Sequence, residues 1–200
     1  MSIPMALVDF IPVIAFAFSA VTLQRALYER ASKGAFALFA GGTIFIVCAG
    51  FMKALWKLLY TANICDFERL NQAFFPTQSL GFLLAGIAVI AIVFFPQKKP
   101  GVMAAAAPTV FSGTMVFVAG MVLGALGFCG GLGILAWREK KKVSAVLFFL
   151  TFVFMMMMGY LSSRDFTQAS MNWIAEGVNI IGQGLLFVAA QGLAGKTYDR

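Results

Sequence analysis

Apolar blocks of about twenty residues recur along this chain, separated by short polar stretches, and most of these stretches carry lysine or arginine. A helix needs about 20 such residues to cross roughly 30 Å of hydrocarbon at about 1.5 Å per residue. Composition agrees with that reading: 61% of the residues are hydrophobic and 12% charged, against about 45–50% and about 25% in soluble domains. Mean hydropathy is +0.90. The first block does not read as a cleavable signal peptide, because Met1–Gln24 contains no lysine or arginine and lacks a basic n-region. It is expected to stay as a helix.

Five spans are plain in the sequence: Met5–Leu27, Phe36–Tyr60, Pro76–Phe95, Val143–Leu161 and Asn172–Leu193. A polar segment, Thr61–Phe75, separates the second from the third. Pro76 suits the first turn of a helix. The stretch Val102–Trp137 holds 36 residues, too many for one untilted span and few for two with a turn, which would take about 40.

Charge separates the two cases. If this stretch crosses once, the chain has six spans, one of them long and kinked. One side then holds Arg25, Arg30, Lys33, Lys98, Lys99 and Arg164, and the other Arg69, Arg138, Lys140, Lys141, Lys142, Lys196 and Arg200. That is no bias. If it turns back at Pro108 and Ser112-Gly113, all but Arg69 and Arg164 fall on one side, eleven against two. Cytoplasmic loops carry such an excess. The sequence therefore favours an all-α polytopic membrane protein of seven helical segments, the fourth short (102–112) and the fifth at Met115–Trp137. The N-terminus is expected outside and the C-terminus in the cytoplasm of a plasma or inner membrane.

An internal echo fits the same layout. Tyr60, Asp66-Phe67, Asn71 and Gly81 recur as Tyr160, Asp165-Phe166, Asn172 and Gly182, with Asn ten residues before Gly in both copies. Residues 1–200 then form one transmembrane domain with a repeat at 5–96 and 115–194, joined by a connector at 97–114. The basic loops Tyr28–Lys33 and Trp137–Lys142 occupy equivalent places. Such a 3-1-3 order resembles in layout the seven-helix sugar-efflux transporters. Their paired Pro-Gln motif is not reproduced, since Pro96-Gln97 has no second copy. Layout of that kind suggests a carrier without identifying a family.

Ionisable groups inside a bilayer are costly, about 2.5–3.5 kcal/mol each at helix centre on an insertion scale, and tend to mark function. In the last span Asn172, Glu176, Asn179 and Gln183 share one helical face. Lys53, Trp56, Lys57 and Tyr60 share a face of the second. Lys57 reads as a snorkelling side chain at an aromatic belt, whereas Lys53 lies about two turns deeper. Asp9 and Gln78 fall in the same half of the membrane. These positions predict a polar pocket of Asp9, Lys53, Gln78, Glu176, Asn179 and Gln183, with Lys53 and Glu176 paired.

Other classes fit poorly. The net charge of +7 is loop charge, so no nucleic acid is expected. Three cysteines, widely spaced, and no histidine give no disulfide framework and no metal spacing, and no cofactor is expected. Met155–Met158 reads as adaptable filler. The glycines of the fifth span read as close-packing positions, since no phosphate-loop pattern accompanies them. An intramembrane enzyme would have only Asp9 and Glu176 as buried carboxylates, so no enzyme is expected. The leading expectation is a carrier or channel for a small polar solute, with the lipid bilayer as its surroundings. The alternative is a non-transporting subunit or sensor binding a partner helix or lipid. A homo-oligomer is compatible with either.

Overall fold

A computed structural model describes residues 3–95, 114–162 and 169–195. Among the described residues every regular element is a helix: α1 Ile3–Val8, α2 Phe10–Leu27, α3 Lys33–Thr61, α4 Glu68–Phe94, α5 Thr114–Arg138, α6 Lys142–Ser162 and α7 Ala169–Ala194. Helices α1 and α2 form one span interrupted at Asp9. Pro12, which has no N–H to give the Val8 carbonyl, accounts for the break. The six spans so formed are long and apolar enough to cross a membrane, and the protein is an all-α polytopic membrane protein. Six is also the number in the long-helix alternative. The short fourth segment expected at 102–112, with Pro108 and Ser112-Gly113, lies outside the described residues.

The spans close into a ring, each packed on the next in chain order and α7 packed back on α2. Contacts along each seam give the directions. In α3 and α4, Gly42 lies against Ala85 while Lys53 lies over Phe74, so the two run antiparallel. Helices α4 and α5 run the same way: Ser79 adjoins Gly120, Gly86 adjoins Gly124 and Val89 adjoins Gly131. Further along, Arg138 Nη1 donates to the Val93 carbonyl at 2.6 Å. Helices α2 and α7 are also parallel, with Asp9 near Glu176 at one end and Gln191 Nε2 donating to Thr22 Oγ1 at 3.3 Å further along.

Two three-span units of the same direction result, as a 3-1-3 order requires. Phe95 and Thr114 consequently stand at opposite ends of the bundle. The loops after α2 and after α5 stand at the same end, where Arg30 forms an ion pair with Glu139. We call this the basic end. In a background lacking Cys48, Cys65 and Cys129, an Arg30→Cys/Glu139→Cys pair should crosslink on oxidation. Failure to crosslink in folded protein would place the loops on opposite faces.

Local sequence explains most helix limits. Ser32 caps α3, its Oγ accepting from the Ala35 N–H at 3.2 Å. Asn63 ends α3 at φ 52°, a left-handed residue that lets the Ile64 N–H reach the Leu59 carbonyl at 3.1 Å. Lys140 at φ 60° ends α5 in the same way, with Lys141 N–H on the Ala136 carbonyl at 2.9 Å. One boundary differs from expectation. Helix α4 starts at Glu68, so Pro76 lies inside it rather than in its first turn. Glu68–Phe75 reads as loop by polarity alone, but Glu68 favours a helix N-terminus and the turn is already complete at Asn63. Pro76 then costs only the hydrogen bond to the Gln72 carbonyl.

Packing differs between the two halves of the bundle's height. Near the basic end Leu23, Leu27, Phe39, Leu132, Phe148 and Leu193 are fully buried in one core. That core is capped by polar bonds: Gln24 Nε2 to Thr43 Oγ1 at 2.8 Å, and Lys141 Nζ to the Leu193 and Gly195 carbonyls at 2.6 and 2.7 Å. At mid-height four aromatic rings meet. Phe128 stacks on Phe39 at 6.0 Å and lies 6.3 Å from both Phe16 and Phe82.

Candidate functional site

Beyond that aromatic layer, toward the end opposite the basic loops, a cavity of about 530 Å³ lies between the two three-span units. All six spans line it. Phe16 and Phe82 belong to its floor, so the packed rings separate it from the dry core below. All six residues singled out in the sequence (Asp9, Lys53, Gln78, Glu176, Asn179 and Gln183) line this one cavity. Asn172, from the same stripe of α7, is not among the lining residues.

Each polar group is delivered by helix phase. Glu176, Asn179 and Gln183 recur at steps of three and four on α7 and so share its inner face. Asp9 arrives at the break between α1 and α2, a place where a discontinuous span sets polar groups at depth. Lys53 and Lys57 lie one turn apart on α3, and Gln78 sits just past Pro76 on α4.

The charge partners differ from the expected ones. Lys57 Nζ forms an ion pair with Asp9 Oδ2, and the Lys57 side chain is only 17% exposed. The snorkelling role expected of Lys57 is therefore corrected: a carboxylate one helix away holds its ammonium inside. Lys53 and Glu176 lie within electrostatic reach of each other, but the ion pair expected between them is not made. Lys53 Nζ instead lies 4.2 Å from the centroid of the Phe74 ring and 5.8 Å from that of Phe75. Phe74 and Phe75 were not singled out from sequence, because phenylalanine is common throughout the chain. Lys57 was legible in principle, since it shares a helix face with Lys53 and Asp9 needed a partner.

No family model matches this chain. Neither a curated protein nor a solved structure matches it. The cavity therefore has to be read from its own chemistry.

That chemistry is mixed. Two carboxyl groups and two ammonium groups share one low-dielectric space, and only one ion pair links them. Glu176 is 6% exposed, and its Oε1 has no hydrogen-bond partner among the described residues; Gln183 Oε1 and Asp9 Oδ1 are in the same condition. Buried acceptors of this kind cost about 1–3 kcal/mol each when left unpaired, more for a charged group. The remaining wall is apolar and adaptable, with Met121, Met155 and Met156 facing Phe16 and Phe82. Asp66, exposed at the rim, accepts from Trp56 Nε1 at 3.0 Å beside α3.

Proposed function

We propose that this protein is a carrier or channel for a small polar solute, bound between two three-span units. The observation that supports it is the polar cavity itself. A membrane protein gains nothing in stability by gathering four ionisable groups in its core, and among the described residues acceptors of Asp9, Glu176 and Gln183 are left there without hydrogen-bond partners. Parallel three-span units enclosing a site between them also resemble carriers built from internal repeats, which favours the duplication of residues 5–96 and 115–194. By the positive-inside rule the basic end faces the cytoplasm. The cavity then opens from outside, with the N-terminus outside and the C-terminus inside, and the aromatic layer and basic-end core form the closed inner side.

The test combines sidedness with uptake. In a cysteine-free background Asn179→Cys should react with a membrane-impermeant maleimide from outside intact cells, whereas Thr43→Cys in the basic-end core should not. Reconstituted protein should then accumulate or exchange at least one member of a panel of labelled small solutes, with Glu176→Gln cutting the rate about tenfold or more. An unreactive Asn179→Cys, or no flux for any solute bound, would sink the reading.

A second reading, a subunit or sensor, draws on a different feature. An apolar groove of about 440 Å³ runs between α5 and α6, lined by Leu126, Gly130, Trp137 and Phe149, and is shaped for a lipid chain or partner helix. Its prediction is binding without flux.

A further inference from the structure

We infer that the cavity is built for a zwitterion carrying a primary ammonium group and an apolar side group, the chemistry of an apolar α-amino acid. The inference rests on the solute-binding reading and names the solute's class.

The groups left without partners define the ligand. Asp9 and Lys57 form an ion pair, but Asp9 Oδ1 stays without a hydrogen-bond partner among the described residues and lies beside Glu176. Glu176 and Lys53 form no ion pair. Glu176 Oε1 is a buried acceptor with no donor among the described residues, and Gln183 Oε1 is a second one. They lie seven residues apart on α7, two turns along one face, and both line the cavity. Two turns are about 10 Å, so a ligand ammonium with several N–H donors is matched to Glu176 Oε1 and the neighbouring Asp9 Oδ1 rather than to Gln183. Lys53 has the opposite need. Its ammonium lies over aromatic faces, Phe74 at 4.2 Å and Phe75 at 5.8 Å. No carboxylate among the described residues is in ion-pair contact with it, although Asp9 and Glu176 are within electrostatic reach. A ligand carboxylate would complete it.

A purely cationic ligand would leave Lys53 unanswered and add charge to the core. A purely anionic one would do the same for Glu176. A zwitterion answers both and keeps the cavity neutral. The methionine and phenylalanine wall sets the third requirement. Met121, Met155 and Met156 can repack around an aliphatic or aromatic group, and a volume of about 530 Å³ falls within the range of small-molecule pockets, about 300–1,000 Å³.

Thermal unfolding of the purified full-length protein in lipid nanodiscs gives the test. The series is L-leucine, its amine counterpart 3-methylbutylamine, its acid counterpart 4-methylpentanoate, and its trimethylammonium betaine, which keeps the charge but has no N–H. L-leucine should raise the unfolding midpoint, with each of the other three at least about tenfold weaker, as expected for a lost charged hydrogen bond. Glycine should bind more weakly than leucine. Lys53→Met should erase the preference for leucine over 3-methylbutylamine. Should that variant not fold, the ligand series on the unaltered protein still decides. Equal stabilisation by amine and amino acid, or by betaine and amino acid, overturns the inference. So does stabilisation only by uncharged polar solutes, an outcome that leaves the carrier reading standing. Binding of leucine without flux in liposomes has the reverse meaning: the ligand class survives and transport does not.

Discussion

Gly124→Leu should prevent the bundle from assembling, with a cost above about 3 kcal/mol, the upper end of ordinary overpacking. At Gly124 a Cβ would meet the Phe82 backbone carbon directly and come within 2.5 Å of the Leu83 nitrogen and 2.6 Å of the Phe82 oxygen. These are backbone atoms of a helix and cannot rotate away. The reciprocal position is as tight, since a Cβ on Gly86 would stand 2.5 Å from the Gly124 carbonyl oxygen. Two parallel helices are thus held in backbone contact along one seam, the use to which small residues are put where lipid supplies no hydrophobic drive. Gly41 and Gly184 have nothing within 4 Å of a Cβ and serve as internal controls. Gly124→Leu should lose the monodisperse peak in size-exclusion chromatography, while Gly184→Ala keeps it. A well-behaved Gly124→Leu protein would mean that α4 and α5 do not pack as described.

The second large effect belongs to the Asp9–Lys57 pair. Asp9→Asn or Lys57→Met alone should each cost about 3–5 kcal/mol, because the remaining charge stays buried without its partner. The double variant should recover most of that loss, since a neutral pair no longer carries the desolvation penalty. The measurement is a double-mutant cycle on unfolding of the reconstituted protein. Additive losses would mean that the two side chains do not depend on each other. Lys53→Met offers the contrast: with no ion pair to break, its loss should not be rescued by Asp9→Asn.

These two predictions also show what the sequence made legible. Span limits, the loop charge asymmetry and the six lining residues all follow from hydropathy, sidedness and helical phase, which are properties of single residues and their spacing. Partner choice is different. It depends on how far one helix is rotated against another, and spacing along α3 cannot say whether Lys53 or Lys57 meets a carboxylate. Asp9 sits on another helix, at a break produced by Pro12, and only the packed ring brings it to Lys57. The early start of α4 was missed for a similar reason. Polar residues at the membrane rim read as loop until the Asn63 turn is seen to finish before them. The glycines of α5 were legible as close-packing positions, whereas their partners on α4, Phe82, Leu83 and Gly86, were not.

The packing of α2 against α7 has a consequence for how the protein is made. The first of the six spans finds one of its neighbours only when the sixth has been made. Until then Asp9 can meet Lys57 across the α2–α3 hairpin, and Arg30 can meet Glu139 once α5 is made, but the wall that Glu176 and Gln183 complete is missing. Among the six spans the closing contact is the last that synthesis can supply, since α7 follows the other five. A nascent chain held before α7 is an open arc with its polar lining turned toward lipid. Only the docking of α7 on α2 and α6 turns that lining inward and completes the cavity wall.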